Sequence, residues 1–473
     1  MSDWIRVGGA AELVATTSLT AKSVLGWRAR RGVAMFASPI AASLFCLANP
    51  VAALALDTTA KEGAALPPVV IDSPQPKPKR VAAKRPAPTR AVSTRGGDRA
   101  GQVAQQAPVV GAGAPTPAQA ALDRKMQGFD QSRDHMLPKL GATSYTIDRT
   151  AIEIMPQADN TPVDKLVLQL PGVNYDSAAS NPNFHVRGEY ANVQTRINGL
   201  VLPEGVSGLG PVIDTNFIGS LSLLTGTLPA QYGGRTAGIL DITSRAFSTP
   251  GGSVSVYGGS QSTITPSFDY GGSVGDTQYF FSGRGNWNNL GIENPTSSIN
   301  AIHDHTDQGK FFAYVSTLLN DSTRLSVISG ASYSKFQIPN NPDQTPPAGL
   351  PPPGFGPVNA NSTTLNENEV DQYYYNIVAL QTKGDVVDTQ FSVFSRYAQV
   401  HFIPDVFNDL VFNNVASDAT RTSQMYGTQF DSSYEMNPAH TLRAGLMITA
   451  EKTDVSNIET VLPVDPNTGA ISP

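Results

Sequence analysis

The residues best suited to hold a metal are His303, Asp304 and His305, because imidazole and carboxylate are first-row metal ligands. In a polar loop the same three residues read better as solvated surface, so neither a metal nor a cofactor is expected. The acids Asp148 and Glu153, and likewise Asp159 and Asp164, lack any spacing that acid/base catalysis would need. No Gly-x-Ser-x-Gly elbow is present, and no Ser/His/Asp set stands out. Gly-x-Gly clusters occur, but none follows a strand and opens a helix as a nucleotide site requires. Cys46 is the only cysteine, which excludes a disulfide framework and a Cys-based zinc site. These absences point away from an enzyme.

The positive charge of a chain with net charge −6 is gathered in one stretch, Lys77, Lys79, Arg80, Lys84, Arg85, Arg90, Arg95 and Arg99. That stretch has no interleaved aromatics on which bases could stack, so nucleic acid is not an expected partner. It reads as a spacer near anionic lipid or peptidoglycan.

The elements that would position any site are turn-rich. Charged residues make up 15% of the 473 residues, with 42 Gly and 36 Pro, a balance that suits β structure and linkers better than helical bundles. Arg28, Arg30 and Arg31 precede an apolar run from Gly32 to Leu56 that contains the small-x-small site Ala53-Leu54-Ala55. Residues 1–55 therefore read as a secretory signal peptide with an N-terminal extension. Residues 56–126 are rich in Pro, Ala, Lys and Arg and read as a disordered periplasmic linker. Inside it Val69, Val70 and Ile71 form an apolar island, either a chance cluster or a peptide that adds a strand to a partner's sheet.

Residues 127–247 turn globular, with short strand-like runs at 143–147, 184–187, 193–198, 220–224 and 238–243. A short helix is expected after Thr161 as cap, with Pro162 at its first position. From 248 to 473 the pattern has period two. Leu325, Val327, Ala331 and Tyr333 alternate with Arg324, Ser326, Ser332 and Ser334, and Leu442, Ala444, Leu446 and Ile448 alternate with Arg443, Gly445, Met447 and Thr449. With similar segments near 252–259, 264–271, 277–287, 310–319, 372–383, 389–402 and 422–435, nine strands are expected. Connections alternate between tight turns and loops of about 20 to 30 residues (288–309, 337–370, 403–421), the asymmetry of a transmembrane barrel. Trp287, Phe311, Phe312, Phe336, Tyr373, Tyr374, Tyr375 and Phe402 fall near strand ends, as interfacial girdles would.

The stretch from Asp164 to Arg245 resembles the plug domain of TonB-dependent outer-membrane receptors. Three blocks stand in that family's order: Leu170-Pro171-Gly172-Val173; Phe184-His185-Val186-Arg187-Gly188 with Thr195-Arg196-Ile197-Asn198-Gly199-Leu200; and Leu224-Thr225-Gly226 with Gln231 through Tyr232, Gly233, Arg235 and Gly238 to Thr243. Asn198 stands where the family usually has Asp, and Thr227 where it commonly has Pro.

The resemblance implies a mainly β protein: a small α+β plug followed by antiparallel transmembrane strands of a barrel of about 22, in the bacterial outer membrane. It implies a receptor that imports a scarce small ligand, such as a ferric siderophore, with Val69 to Ile71 as the box pulled by a TonB-like periplasmic protein and with outer-membrane lipids around the wall. Arg187 and Arg235 read either as charges facing the polar wall or as turn and fold residues. The alternatives are a passive pore or surface-binding protein (adhesin or phage receptor), or a truncated, non-functional fragment, since nine strands leave an incomplete barrel whose edges a bilayer does not tolerate. Cleavage after Ala55 is expected, so mass spectrometry of the exported protein should find Leu56 as its first residue.

Overall fold

The computed structural model describes residues 114–463, apart from 138, 140, 176–183, 190–191, 234, 248, 293–301, 347–349 and 351–359. The expected signal peptide, most of the expected linker and the Val69 to Ile71 peptide lie outside the described residues. The first described element is helix α1, Pro117–Met136, which occupies 117–126 of the stretch expected to be linker. Its start is a capping box that the composition of this stretch conceals: Thr116 and Gln119 hydrogen-bond each other's backbone, and Pro117 stands in the first turn.

The small domain is a five-stranded sheet of β1 (Ala142–Asp148), β4 (Val193–Ile197), β5 (Leu200–Val201), β6 (Ile218–Gly226) and β7 (Gly238–Ser244), in the order β1-β6-β7-β4-β5. Only β4 and β7 run parallel. The helices α2 (Arg149–Glu153) and α3 (Val163–Val167) accompany it, and β2 (Val173–Tyr175) pairs with β3 (Phe184–Val186) as a separate hairpin. Ile152, Leu166, Ile197, Phe217, Leu221, Leu223 and Ile242 are buried in its core. The expected short helix forms, but Pro162 is its cap and Thr161 lies outside it. Pro162 has the extended ψ of 148°, and no side chain caps the helix.

At the β4–β5 turn Asn198 and Gly199 have φ of 52° and 75°, the backbone of a tight hairpin with both central residues left-handed. The amide of Asn198 also donates to Ser244 Oγ at 2.8 Å and accepts from Ser244 N at 2.9 Å, tying the turn to the end of β7. An aspartate here could hold the same two atoms with the Ser244 hydroxyl turned round to donate, so the amide sets the direction of that bond rather than its existence.

The second sheet has nine antiparallel strands in chain order: β8 (Gly251–Gly258), β9 (Ile264–Val274), β10 (Thr277–Asn288), β11 (Thr306–Asn320), β12 (Thr323–Gln337), β13 (Asn368–Lys383), β14 (Val387–Ile403), β15 (Val415–Asn437) and β16 (His440–Val461). Residues 275–276, 321–322, 384–386 and 438–439 turn at one end. At the other end lie a short hairpin (259–263) and the long loops 289–305, 338–367 and 404–414, the last holding helix α4 (Val406–Phe412).

The strands extend beyond their sequence signal, most of all β15 at 23 residues and β16 at 22. A tilted strand crosses the hydrocarbon in about 9–11 residues. Beyond that length polar residues fall on both faces, as Lys452, Thr453, Asp454, Ser456 and Asn457 do in β16, so period-two hydrophobicity no longer reports a strand that hydrogen bonding continues. The girdle also differs from the expected set. Neighbouring residues face opposite sides, so Phe312, Phe336, Tyr373 and Tyr375 are buried on the inner face, while Trp287, Phe311 and Tyr374 lie outside. Tyr374 and Tyr397, outside and 6.1 Å apart, mark the belt near the long loops, and Tyr434 the belt near the tight turns.

Leu221 is fully buried at the centre of the plug sheet. Leu221→Ala should destabilise the plug by about 2–5 kcal/mol, read as faster protease cleavage between residues 142 and 244 while the nine-stranded wall keeps its heat-modifiable gel mobility.

Candidate functional site: the interface of plug and wall

The inner face of the wall carries an apolar patch ringed by charge, and the plug sits on both. Phe217 of the plug stacks on Phe312 of β11 with centroids 3.8 Å apart and planes 6° from parallel. Phe280, Ile328, Tyr375, Ile377 and Phe394 continue the plug core into the wall. Around the patch, buried Arg284 of β10 pairs with Asp214 of the plug at 2.9 Å, donates to the Asp159 carbonyl at 2.7 Å and bonds Asn160. Lys310 of β11 stands 3.9 Å from the same Asp214 carboxylate and donates to the Ile213 carbonyl at 3.4 Å. Arg245, just past β7, meets Asp269 of β9 at 3.5 Å and lies over the Phe280 ring. Burial, together with the charge of Arg149, lowers the readiness of the Arg245 guanidinium to hold its proton.

A second contact runs along the plug segment 203–211. The Pro203 carbonyl accepts from Arg396 of β14 at 2.8 Å. Successive backbone N–H groups of Gly208, Leu209 and Gly210 donate to Tyr373 Oη (2.7 Å), Glu369 (3.1 Å) and Asp371 (2.6 Å) of β13. A Cβ at Gly208 would lie 2.2 Å from Asp371, and one at Gly210 would lie 2.6 Å from Ser334, so these glycines are there for close approach. A sequence signal existed in the Gly-x-Gly spacing at 208–210, which reads from the sequence only as a turn.

The third contact is at the tight-turn end, where α1 crosses the wall. Asp123 accepts from Gln278 of β10 (2.6 Å), Lys125 pairs with Asp321 in the β11–β12 turn, and Asp130 pairs with Arg324 of β12 at 2.8 Å. The Phe129 carbonyl accepts from Gln381 of β13, and the His135 carbonyl from Arg443 of β16. Arg133, buried beside Asp130, lies against Gly199, where a Cβ would come within 2.6 Å of its side chain.

The motif residues named from the sequence take structural positions in the plug. Pro171 is exposed beside Gly172 (φ 80°), whose carbonyl accepts from the Arg187 N–H at 2.8 Å, and Arg187 (φ 55°) and Gly188 (φ 81°) turn the facing strand. Gly226 and Gly233 also have left-handed φ, at 97° and 68°. Tyr232 is buried under the Arg196 guanidinium at 4.8 Å. At Gly238 a Cβ would stand 3.0 Å from the Leu224 carbonyl. Arg235 forms an ion pair with Glu204 inside the plug, and burial pushes the Glu204 carboxyl up against that partner's pull.

In the loops, His303 Nε2 contacts the Thr363 carbonyl, and His305 is taken by Asn289 and Asp307. Among the described residues no group of three His, Cys, Asp or Glu is arranged to hold a metal. On the long-loop side of the interface a cavity of about 220 Å³ opens between plug residues 157–164 and 211–215 and the wall, lined by Tyr257, Asn286, Asn288, Gln308, Lys310 and Phe336 among others. Ligand pockets commonly span about 300–1,000 Å³, so this one suits part of a ligand.

No family model and no curated protein matches the chain. Solved structures do match. The FrpB iron transporter from Neisseria meningitidis superposes with a TM-score of 0.51 at 13% identity, over 66% of this chain and 49% of that one. The copper transporter OprC gives 0.49 at 12% identity, over 69% and 48%, and the ferric enterobactin receptor PfeA from Pseudomonas aeruginosa gives 0.49 at 14%, over 68% and 50%. The chain spans about half the length of each.

Removing one member of a buried ion pair strands its partner. Asp214→Asn removes the carboxylate that Arg284 and Lys310 share and should weaken plug docking by roughly 3–5 kcal/mol, seen as protease sensitivity of the plug in the folded, full-length protein.

Proposed function

We propose that this chain, folded as the TonB-dependent receptors are, is the plug and part of the barrel of a bacterial outer-membrane receptor that imports a scarce small ligand, a metal chelate such as a ferric siderophore. The observation that carries the reading is a folded domain on the inner face of the wall, bonded to it by two sets of contacts in the long-loop half of the strands and by a third at the tight-turn end. A passive pore works through an open lumen, and an adhesin or phage receptor needs only its loops; neither calls for a separately folded plug held by breakable polar bonds. The apolar outer face with aromatic belts suits outer-membrane lipids.

In this reading the ligand binds from the long-loop side, where the cavity lies, and a TonB-like periplasmic protein pairs with Val69 to Ile71 as an added strand. Helix α1 lies in the chain between that peptide and the plug. Tension on the tether therefore meets the ion pairs of α1 with the rim before it reaches the plug sheet.

Deleting Val69 to Ile71 in the full-length protein should abolish accumulation of radiolabelled ferric chelate in iron-starved cells, while chelate binding at the cell surface stays within about twofold. Uptake that survives both the deletion and collapse of the proton gradient would establish the passive pore instead.

A further inference from the structure

The cavity between plug and wall on the long-loop side is lined by charges that are already paired. Asp159, Asp164 and Asp214 face it with Arg284 and Lys310. Asp159 pairs with Arg149 at 2.5 Å and Asp164 with Lys165 at 3.9 Å, both behind the lining. The three guanidinium nitrogens of Arg284 go to Asp214, Asn160 and the Asp159 carbonyl. Lys310 is held between the Asp214 carboxylate and the Ile213 carbonyl. An anion entering here meets three carboxylates and two bases that are spent on the plug, and burying a charge without a partner is costly.

What remains to meet a ligand is uncharged. Asn286 stands opposite Gln308, and Asn288 opposite Thr306, across β10 and β11. Thr265 of β9 donates to Asn286 Oδ1 at 3.1 Å, Asn288 donates to the same oxygen at 3.3 Å, and Asn286 donates to Gln308 Oε1 at 3.1 Å. The bonded chain ends at Gln308, whose two Nε2 N–H groups have no partner among the described residues. The hydroxyl of half-buried Tyr257 has none there either. Thr306 is 3% exposed and Thr161 9%, and neither hydroxyl has a hydrogen-bond partner among the described residues. A buried hydroxyl left unpaired keeps its desolvation cost. A ligand group with donors and acceptors of its own would relieve it.

We propose that this cavity binds an uncharged group rich in hydroxyl or amide functions, a sugar ring or the amide backbone of a neutral chelate, and turns anionic groups away. The inference rests on the reading of the chain as a receptor whose ligand enters from the long-loop side, and it narrows which part of a ligand is bound there. Gln308 Nε2 and Tyr257 Oη donate to oxygens of the group, and its own O–H or N–H groups donate to the Thr306 and Thr161 hydroxyls. At about 220 Å³ the cavity holds one such group rather than a whole ligand.

The test uses the folded full-length protein in detergent at neutral pH, with glucose, N-acetylglycinamide and citrate as separate probes read by saturation-transfer NMR. Saturable binding of glucose or N-acetylglycinamide is expected, with half-saturation in the roughly millimolar range of a small fragment, and citrate should neither bind nor displace them. The tighter of the two neutral probes tells a sugar from an amide source. Gln308→Leu and Tyr257→Phe should each weaken that probe by about two- to tenfold, and heat-modifiable mobility establishes that both variants are folded. Citrate bound as well as the neutral probes, neither neutral probe bound, or binding unchanged in both variants would overturn the proposal. The receptor reading is tested apart from it: chelate uptake that needs Val69 to Ile71 while no neutral probe binds would leave the receptor and remove this site, and neutral probes bound in a protein whose uptake ignores that peptide would do the reverse.

Discussion

In the bilayer proposed for this wall nothing offers hydrogen bonds to a polypeptide backbone, so each strand must spend its N–H and C=O groups on its neighbours. The uninterrupted ladder from β8 to β16 is the direct consequence. Once strands are paired in this way their side chains must alternate, apolar toward lipid and mostly polar inward. An inward face bearing Arg284, Lys310, Arg324, Asp371 and Arg396 needs partners of its own. The plug supplies them with Asp214, with the Asp130 carboxylate of the helix that precedes it, and with the backbone of 203–211.

The interface divides into a grip and a guide. Phe217 on Phe312, continued by Phe280 and Ile377, removes apolar surface from water and favours docking without direction. The ion pairs add little net stability, because desolvating the charges offsets most of their attraction. Their value is orientation: a plug shifted by one residue along the wall would leave Arg284 and Asp214 buried and unpaired. An interface held this way is specific when closed and yields when its polar bonds are exchanged for water.

The amount of structure legible in the sequence differs by element. The wall was readable because period two is a strong signal wherever one face is apolar and the other polar, and the tight turns and long loops were readable from their lengths. In the plug, Asn198-Gly199 announced its hairpin, since few residue pairs accept two left-handed φ values. The girdle was misread at Phe312, Phe336, Tyr373 and Tyr375, where aromatic type was counted without asking which face each residue takes. Helix α1 was missed because residues rich in Ala, Gln and charge resemble linker until the apolar stripe of Leu122, Met126 and Phe129 finds Leu318 of the wall.

By itself, then, the sequence determined the class of the protein: the strands, their faces, the order of plug and wall, and the end at which the long loops lie. Local periodicity and turn chemistry are properties of neighbouring residues, and neighbours are what a sequence displays. Only the tertiary structure decided partners. Asp214 and Arg284 are 70 residues apart, and Asp130 and Arg324 are 194 apart. Period two says that an arginine faces inward, but which carboxylate it meets depends on how two separately formed sheets dock, and no local pattern encodes that.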